Sequence, residues 1–246
     1  MESSGFLDHG GERLAWRRVE GGGPTVVWLG GFRSDMTGTK AQMLAERAAQ
    51  RGGGFLRFDY SAHGASTGDF ADGCISRWRG DALAMIDQLT QGPLVLVGSS
   101  MGGWLALLAA IVRPERVTGL VLIAPAADFT ERLIAARLTP AARQALHDDG
   151  VWMRPSDYGD PDPITRLLIE DGTQWLLLPG PVAVDVPVRI LQGGEDADVP
   201  WRHALTLAEA LTARDLVFTL IRDGDHRLSR PQDLERLAAA VSELGG

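Results

Sequence analysis

The chain has 246 residues, 45 % of them apolar and 23 % charged, a length that suits one large domain or one domain carrying an insertion. A chain of this size buries enough surface to fold without disulfide or metal staples, and its composition argues against disorder. The net charge of −8 repels phosphate backbones and anionic bilayers, which argues against a nucleic-acid partner.

Residues 5–7 and 13–19 flank the turn-forming Asp8-His9-Gly10-Gly11 and predict an antiparallel hairpin at a sheet edge. Short β-branched and apolar runs follow at 25–29, 55–58, 94–97, 119–123, 188–191 and 216–221 and read as strands. Between them, 39–50, 75–89, 104–112 and 201–213 repeat apolar residues at helical spacing. This alternation predicts an α/β fold, a mostly parallel central sheet with helices on both faces. The charge-free run 89–112 is long enough for a membrane span, but Gly98-Ser99-Ser100-Met101-Gly102-Gly103 interrupts it. It reads as a buried strand, a turn and a buried helix, with no membrane span.

After residue 123 the rhythm stops until 188. We read 126–185 as a short helical cap inserted after the sixth strand, with 1–125 and 186–246 forming the core. Helix starts are visible at Asp128 with Glu131, at Thr139-Pro140 and at Asp162-Pro163. Trp152, Trp175 and Leu176-Leu177-Leu178 either line an apolar substrate cavity beneath the cap or glue the cap to the sheet. Cys74, the single cysteine, can make no internal disulfide, and Met1-Glu2-Ser3-Ser4-Gly5 has neither the basic start nor the apolar core of an export signal. A cytoplasmic location is therefore expected.

Gly98-Ser99-Ser100-Met101-Gly102 fits G-x-S-x-G with Ser100 at its centre, set between a predicted strand and a predicted helix. Such a turn strains the serine backbone and leaves it at a helix N-terminus, where unsatisfied N–H groups, Met101 among them, favour negative charge. A serine hydroxyl needs a base, and the base needs an orienting acid. Of the five histidines, His226 follows the last strand, at the carboxyl edge of the sheet where ligand sites gather. His9, His147 and His203 read as solvated or packing residues, and His63 as a residue that shapes its loop. For the acid, Asp196 follows the strand at 188–191 and keeps the order Ser, Asp, His; Asp198 and Asp128 are its rivals. The glycine-rich loop Gly30-Gly31-Phe32 supplies a second oxyanion donor, the Phe32 N–H, beside that of Met101.

Together these residues resemble the α/β-hydrolase family. The segments Gly31-Phe32-Arg33-Ser34-Asp35-Met36-Thr37-Gly38-Thr39-Lys40, Ser99-Ser100-Met101-Gly102-Gly103-Trp104 and Gly224-Asp225-His226-Arg227-Leu228-Ser229 are similar to its palmitoyl-protein thioesterases and acyl-glucuronide esterases. The resemblance implies the α/β-hydrolase fold and hydrolysis of a small-molecule carboxylic ester or acyl-thioester through an acyl-enzyme, with no metal or organic cofactor. Eukaryotic members of that subgroup carry a mitochondrial address, which we do not transfer. Acyl transfer, carbon–carbon bond hydrolysis and a non-catalytic ligand receptor remain alternatives, and the oligomeric state is unassigned.

Overall fold

The structure, a computed structural model, describes residues 2–156, 159–178 and 180–245. Its centre is an eight-stranded sheet in the order β1 (Glu2–His9), β2 (Glu12–Val19), β4 (Gly53–Phe58), β3 (Gly22–Leu29), β5 (Leu94–Ser99), β6 (Val117–Ile123), β9 (Val188–Gly193) and β10 (Leu216–Ile221). β2 runs antiparallel to both β1 and β4, and every other pairing is parallel. The predicted hairpin thus forms one edge. This is the α/β-hydrolase fold.

Alternation along the central strands builds two apolar layers, because successive side chains point to opposite faces. Val27, Leu29, Leu96 and Leu120 face one layer, while Val26, Trp28, Val95 and Val121 face the other. Against the first pack α2 (Ile75–Leu89), α3 (Met101–Val112) and α6 (Trp201–Ala210); against the second, α1 (Thr39–Arg51) and α7 (Pro231–Glu243). The charge-free run is β5 and α3, and α3 buries every residue from Met101 to Ala110. No helix among the described residues is long and apolar enough to cross a membrane.

α3 begins at Met101, three residues earlier than the periodicity predicts, because Gly102 and Gly103 belong to its first turn. A Cβ on Gly102 would lie 2.0 Å from the Leu29 carbonyl oxygen, and one on Gly98 2.3 Å from the Gly102 carbonyl oxygen. Only glycine lets strand, turn and helix pass this closely.

Between β6 and β9 the chain makes a π-helical turn (Thr130–Ile134), α4 (Pro140–Asp148), a two-stranded hairpin of β7 (Val151–Arg154) and β8 (Asp162–Thr165), and α5 (Arg166–Gly172). The α4 start follows the predicted signal, with the Thr139 hydroxyl accepting the Ala142 N–H. The third predicted start is displaced. Asp162-Pro163 lies in β8, and α5 is capped instead by Thr165, whose hydroxyl accepts the Leu168 N–H. Asp162 is drawn into the hairpin by two arginines, described below.

Candidate active site

The loops after β3, β5, β9 and β10 meet at the carboxyl edge of the sheet around a cleft of about 570 Å³. Ser100, Met101, Phe32 and His226 all line it. Ser100 follows β5 with φ 55° and ψ −119°, a backbone conformation that costs a non-glycine residue of order 1–3 kcal/mol. Its N–H donates to the Ile123 carbonyl at 2.9 Å, and its carbonyl accepts the Gly103 and Ala126 N–H groups at 2.9 and 3.1 Å. β6, the loop after it and the first turn of α3 thereby hold the strained turn. Gly31 brings the loop after β3 close, since a Cβ there would stand 3.4 Å from the Ser100 Cβ.

Asp196 and His226 are joined by a 2.8 Å hydrogen bond between Oδ2 and the ring Nδ1. The backbone arranges this meeting. Gly194 N–H donates to Ile221 O at 2.8 Å and Glu195 N–H to Gly224 O at 2.9 Å, and a Cβ on Gly193 would strike the Asp225 carbonyl oxygen at 2.4 Å. The Asp196 side chain is fully buried. Its Oδ1 accepts the N–H groups of Asp198 and Val199 at 3.0 and 2.8 Å, and Gln192 Nε2 lies 3.1 Å from Oδ2. Carboxylate oxygens so fully engaged hold a fixed plane, which orients the imidazole.

As the first residue of α3, Met101 has no intrahelical acceptor for its N–H. Phe32 packs its ring against Phe70, Trp78 and Phe129, with centroids 5.2, 5.8 and 6.0 Å away.

Of the rival acids, one lies off the cleft and one on it. Asp128 is wholly buried, accepts the Leu177 and Leu178 N–H groups at 2.8 and 2.9 Å, and anchors the segment that returns towards β9. Asp198 lines the cleft and lies close enough to Asp196 and His226 for the three to offer ligand atoms within 4.8 Å of one another. That cluster follows from the Asp196–His226 pair, and both Asp196 oxygens are already engaged there.

Trp152 and Trp175 correct the expectation that they line the substrate cavity: among the described residues neither lies on the cleft. The Trp175 indole N–H donates to Ser76 Oγ at 2.8 Å, its carbonyl accepts the Trp104 indole N–H at 3.1 Å, and the Arg79 guanidinium stacks 4.5 Å from its ring. Trp152 sits in β7 opposite Ile164 and packs against the core. Both glue the inserted segment down. The apolar wall of the cleft comes instead from Phe32, Phe129, Leu133 and Ile134.

Two groups at the cleft carry no role that the sequence alone reveals. Asp162 is shared by Arg33, at 3.1 Å, and Arg154, at 2.6 Å, while Arg33 also donates to the Asp160 and Pro161 carbonyls at 3.3 and 2.9 Å. These bonds tie the loop after β3 to the β7–β8 hairpin. Lys40, the single lysine in a chain otherwise furnished with arginine, donates to the Arg227 carbonyl and to Ser229 Oγ, at 3.4 Å from the latter. Burial lowers its pKa to about 8; Asp225 and Asp233 oppose that shift and Arg227 adds to it. The signal for Lys40 is compositional, one lysine among 24 basic residues, whereas the local pattern marks Asp162 only as a helix start.

A mostly parallel sheet with its serine on a strand–turn–helix elbow defines an α/β hydrolase. Residues 24–168 match the model of the Hydrolase_4 family, described as serine aminopeptidase, S33, and the chain belongs to that hydrolase family. It is 37 % identical over 233 residues, covering 94 % of this chain and 78 % of the other, to the mouse protein named palmitoyl-protein thioesterase ABHD10, mitochondrial. A crystal structure from Agrobacterium vitis S4 superposes with a TM-score of 0.94 at 45 % identity, covering 99 % of this chain and 98 % of that one. The structure of mouse α/β hydrolase domain-containing protein 10 does so with 0.90 at 36 %, covering 98 % of each. The motif-level resemblance to the palmitoyl-protein thioesterases is thus borne out. The expected cytoplasmic location is not: the curated relative is named as mitochondrial. A lone cysteine argues against an oxidising compartment and does not choose among the others.

Proposed function

We propose that the protein hydrolyses carboxylic esters or acyl-thioesters through a covalent acyl-enzyme. Ser100 Oγ attacks the acyl carbonyl carbon while His226 Nε2 takes its proton, and the carbonyl π electrons pass to oxygen. The Phe32 and Met101 N–H groups stabilise that oxyanion. Collapse of the intermediate breaks the bond to the alcohol or thiol, which leaves with the proton from His226. Water, deprotonated by the same imidazole, then attacks the acyl-enzyme, and the carboxylic acid departs with Ser100 restored. Asp196 holds the Nδ1–H tautomer throughout.

The observation that carries this reading is the 2.8 Å pair of Asp196 and His226, with His226 lining the same cleft as a serine held at φ 55°. The aromatic and aliphatic wall opposite suits an apolar acyl group, and the name of the mouse relative supports a thioester. We assign 126–185 to a cap that selects the substrate and the remainder to the reaction. A fluorophosphonate probe should label the wild type and not Ser100→Ala, and p-nitrophenyl esters and acyl-thioesters of graded length should release free acid. Labelling retained in Ser100→Ala would overturn the assignment, and an ester formed with an added alcohol in place of acid would mark an acyltransferase.

A further inference from the structure

The loop after β3 closes as a four-residue turn from Gly31 to Ser34, with the Gly31 carbonyl accepting the Ser34 N–H at 3.2 Å and the Ser34 hydroxyl at 2.8 Å. In such a turn the N–H groups of the two middle residues, here Phe32 and Arg33, find no partner within it. Arg33 occupies the third position at φ 56°, a left-handed conformation that only glycine adopts without strain. Something must hold it there. His63, 3 % exposed and away from the cleft lining, places Nε2 3.2 Å from the Arg33 nitrogen and accepts its N–H. Among the described residues the Phe32 N–H has no such acceptor.

The other face of the imidazole fixes its tautomer. Nδ1 lies 3.0 Å from the Ser61 carbonyl oxygen, an acceptor, so Nδ1 carries the hydrogen and Nε2 the lone pair. Ser61 is itself fixed: Asp81 accepts its N–H at 2.8 Å and its O–H at 2.7 Å, and its carbonyl also accepts the Trp78 indole N–H at 3.2 Å. The ring is caged by Tyr60, Phe70 and Trp78, with centroids 5.6, 5.3 and 5.1 Å away, and two of these cage rings do not bear on it alone, for Phe70 and Trp78 also hold Phe32.

We infer that His63 is a positioning residue of the oxyanion loop, whose Nε2 lone pair holds the Arg33 peptide and so presents the Phe32 N–H to the reacting oxygen. The inference rests on the acyl-enzyme reading above. A second proton on Nε2 would oppose a donor to the Arg33 N–H and break the hold. Burial lowers the His63 pKa against the raising effect of the Ser61 carbonyl, and the Arg33 guanidinium lowers it further. The charged groups around it are that guanidinium on the same turn, Asp59 at the end of β4, and Asp81 and Arg77 on α2, with His9 of the β1–β2 hairpin beyond Asp81. Neither carboxylate bonds the ring among the described residues.

The test compares His63→Phe, which keeps an aromatic volume without an acceptor, with His63→Gln, whose amide oxygen can replace Nε2. In His63→Phe, kcat should fall on the order of 10- to 100-fold with KM nearly unchanged, since a donor displaced by about 1 Å costs roughly that much. Affinity for a trifluoromethyl ketone should fall in parallel, and His63→Gln should recover most of both. Amide exchange at residues 31–34, which needs no substrate, should quicken in His63→Phe and return towards wild type in His63→Gln. Equal kcat losses in the two variants, or exchange unchanged in His63→Phe, would overturn the inference. A wild type unlabelled by fluorophosphonate would instead remove the acyl-enzyme reading and leave the exchange result to judge His63.

Discussion

The loops at the carboxyl ends of β5, β9 and β10 are held by main-chain hydrogen bonds and by glycines pressed on neighbouring backbone, whereas the segment between β6 and β9, main-chain bonded to the core near its two ends, is anchored along its middle by side chains. Gly98 and Gly102 lock the serine turn, and Gly193 and Gly194 lock the Asp196 loop against the His226 loop. Opposite them stand Asp128 on the Leu177 and Leu178 N–H groups, Trp175 on Ser76, Ser76 on Asp171, and Asp162 between Arg33 and Arg154. Backbone packed on backbone has no rotamer through which to relax, while a partly exposed ion pair such as Asp162 with Arg33 and Arg154 can exchange partners at small cost. The difference teaches that the cleft has one wall, carrying Ser100 and His226, built on backbone contact and another, carrying Asp162, built on side-chain pairs.

Substitution on the wall built on backbone contact should be ruinous. Ser100→Ala should lower kcat by about 10⁵- to 10⁶-fold with the fold intact, measured by steady-state kinetics beside circular dichroism. Asp196→Asn should cost about 10⁴-fold, because an amide stabilises the wrong imidazole tautomer, whereas Asp198→Asn should stay within a few-fold. Equal losses at 196 and 198 would break the assignment of the orienting acid. Gly102→Ala drives a methyl carbon to 2.0 Å from the Leu29 carbonyl oxygen and should destabilise the protein by about 3 kcal/mol or more, read from chemical unfolding. A Gly102→Ala variant as stable as wild type would show that the turn can relax after all.

On the wall built on side-chain pairs the effects should be smaller. Asp162→Asn weakens both partly exposed ion pairs and should cost under about 1 kcal/mol of stability, while KM shifts several-fold and kcat stays within about two-fold. A kcat loss as large as that of Asp196→Asn would place Arg33 and its clamp with the reacting groups. Lys40 gives the finest distinction. Its folded pKa of about 8 lies below the ordinary lysine value of 10.5, so from about pH 8 to 10.5 the unfolded chain holds a proton that the folded one has released. Its contribution to stability therefore rises with pH across that window, and Lys40→Met should remove this rise from urea midpoints measured against pH. Identical pH dependence in the two proteins would show that Lys40 titrates normally.

Much of this was legible in the sequence for a local reason. Six β-branched runs, the helical spacing between them and G-x-S-x-G around Ser100 are patterns over a few neighbouring residues, and all reappear as strands, helices and the elbow. Asp196 and His226 stand out because each follows a strand that a parallel sheet must deliver to the same edge. The segment 126–185 is harder, since Asp162-Pro163 reads locally as a helix start yet lies in β8, where Asp162 pairs with Arg33, 129 positions away. Trp175 illustrates the same limit, a large apolar side chain being equally suited to a cavity wall or to a seam.

Chain order and residue spacing alone determined the sheet, its crossovers and the strand ends that carry Ser100, Asp196 and His226, because backbone dihedral preferences and apolar periodicity act over short stretches. Only the tertiary structure decided which distant side chains would pair: Arg33 with Asp162, Lys40 with the Arg227 carbonyl, His63 with the Arg33 peptide and Trp175 with Ser76. Such pairings depend on distances set by the packing of whole layers, which neighbouring residues in the chain do not encode.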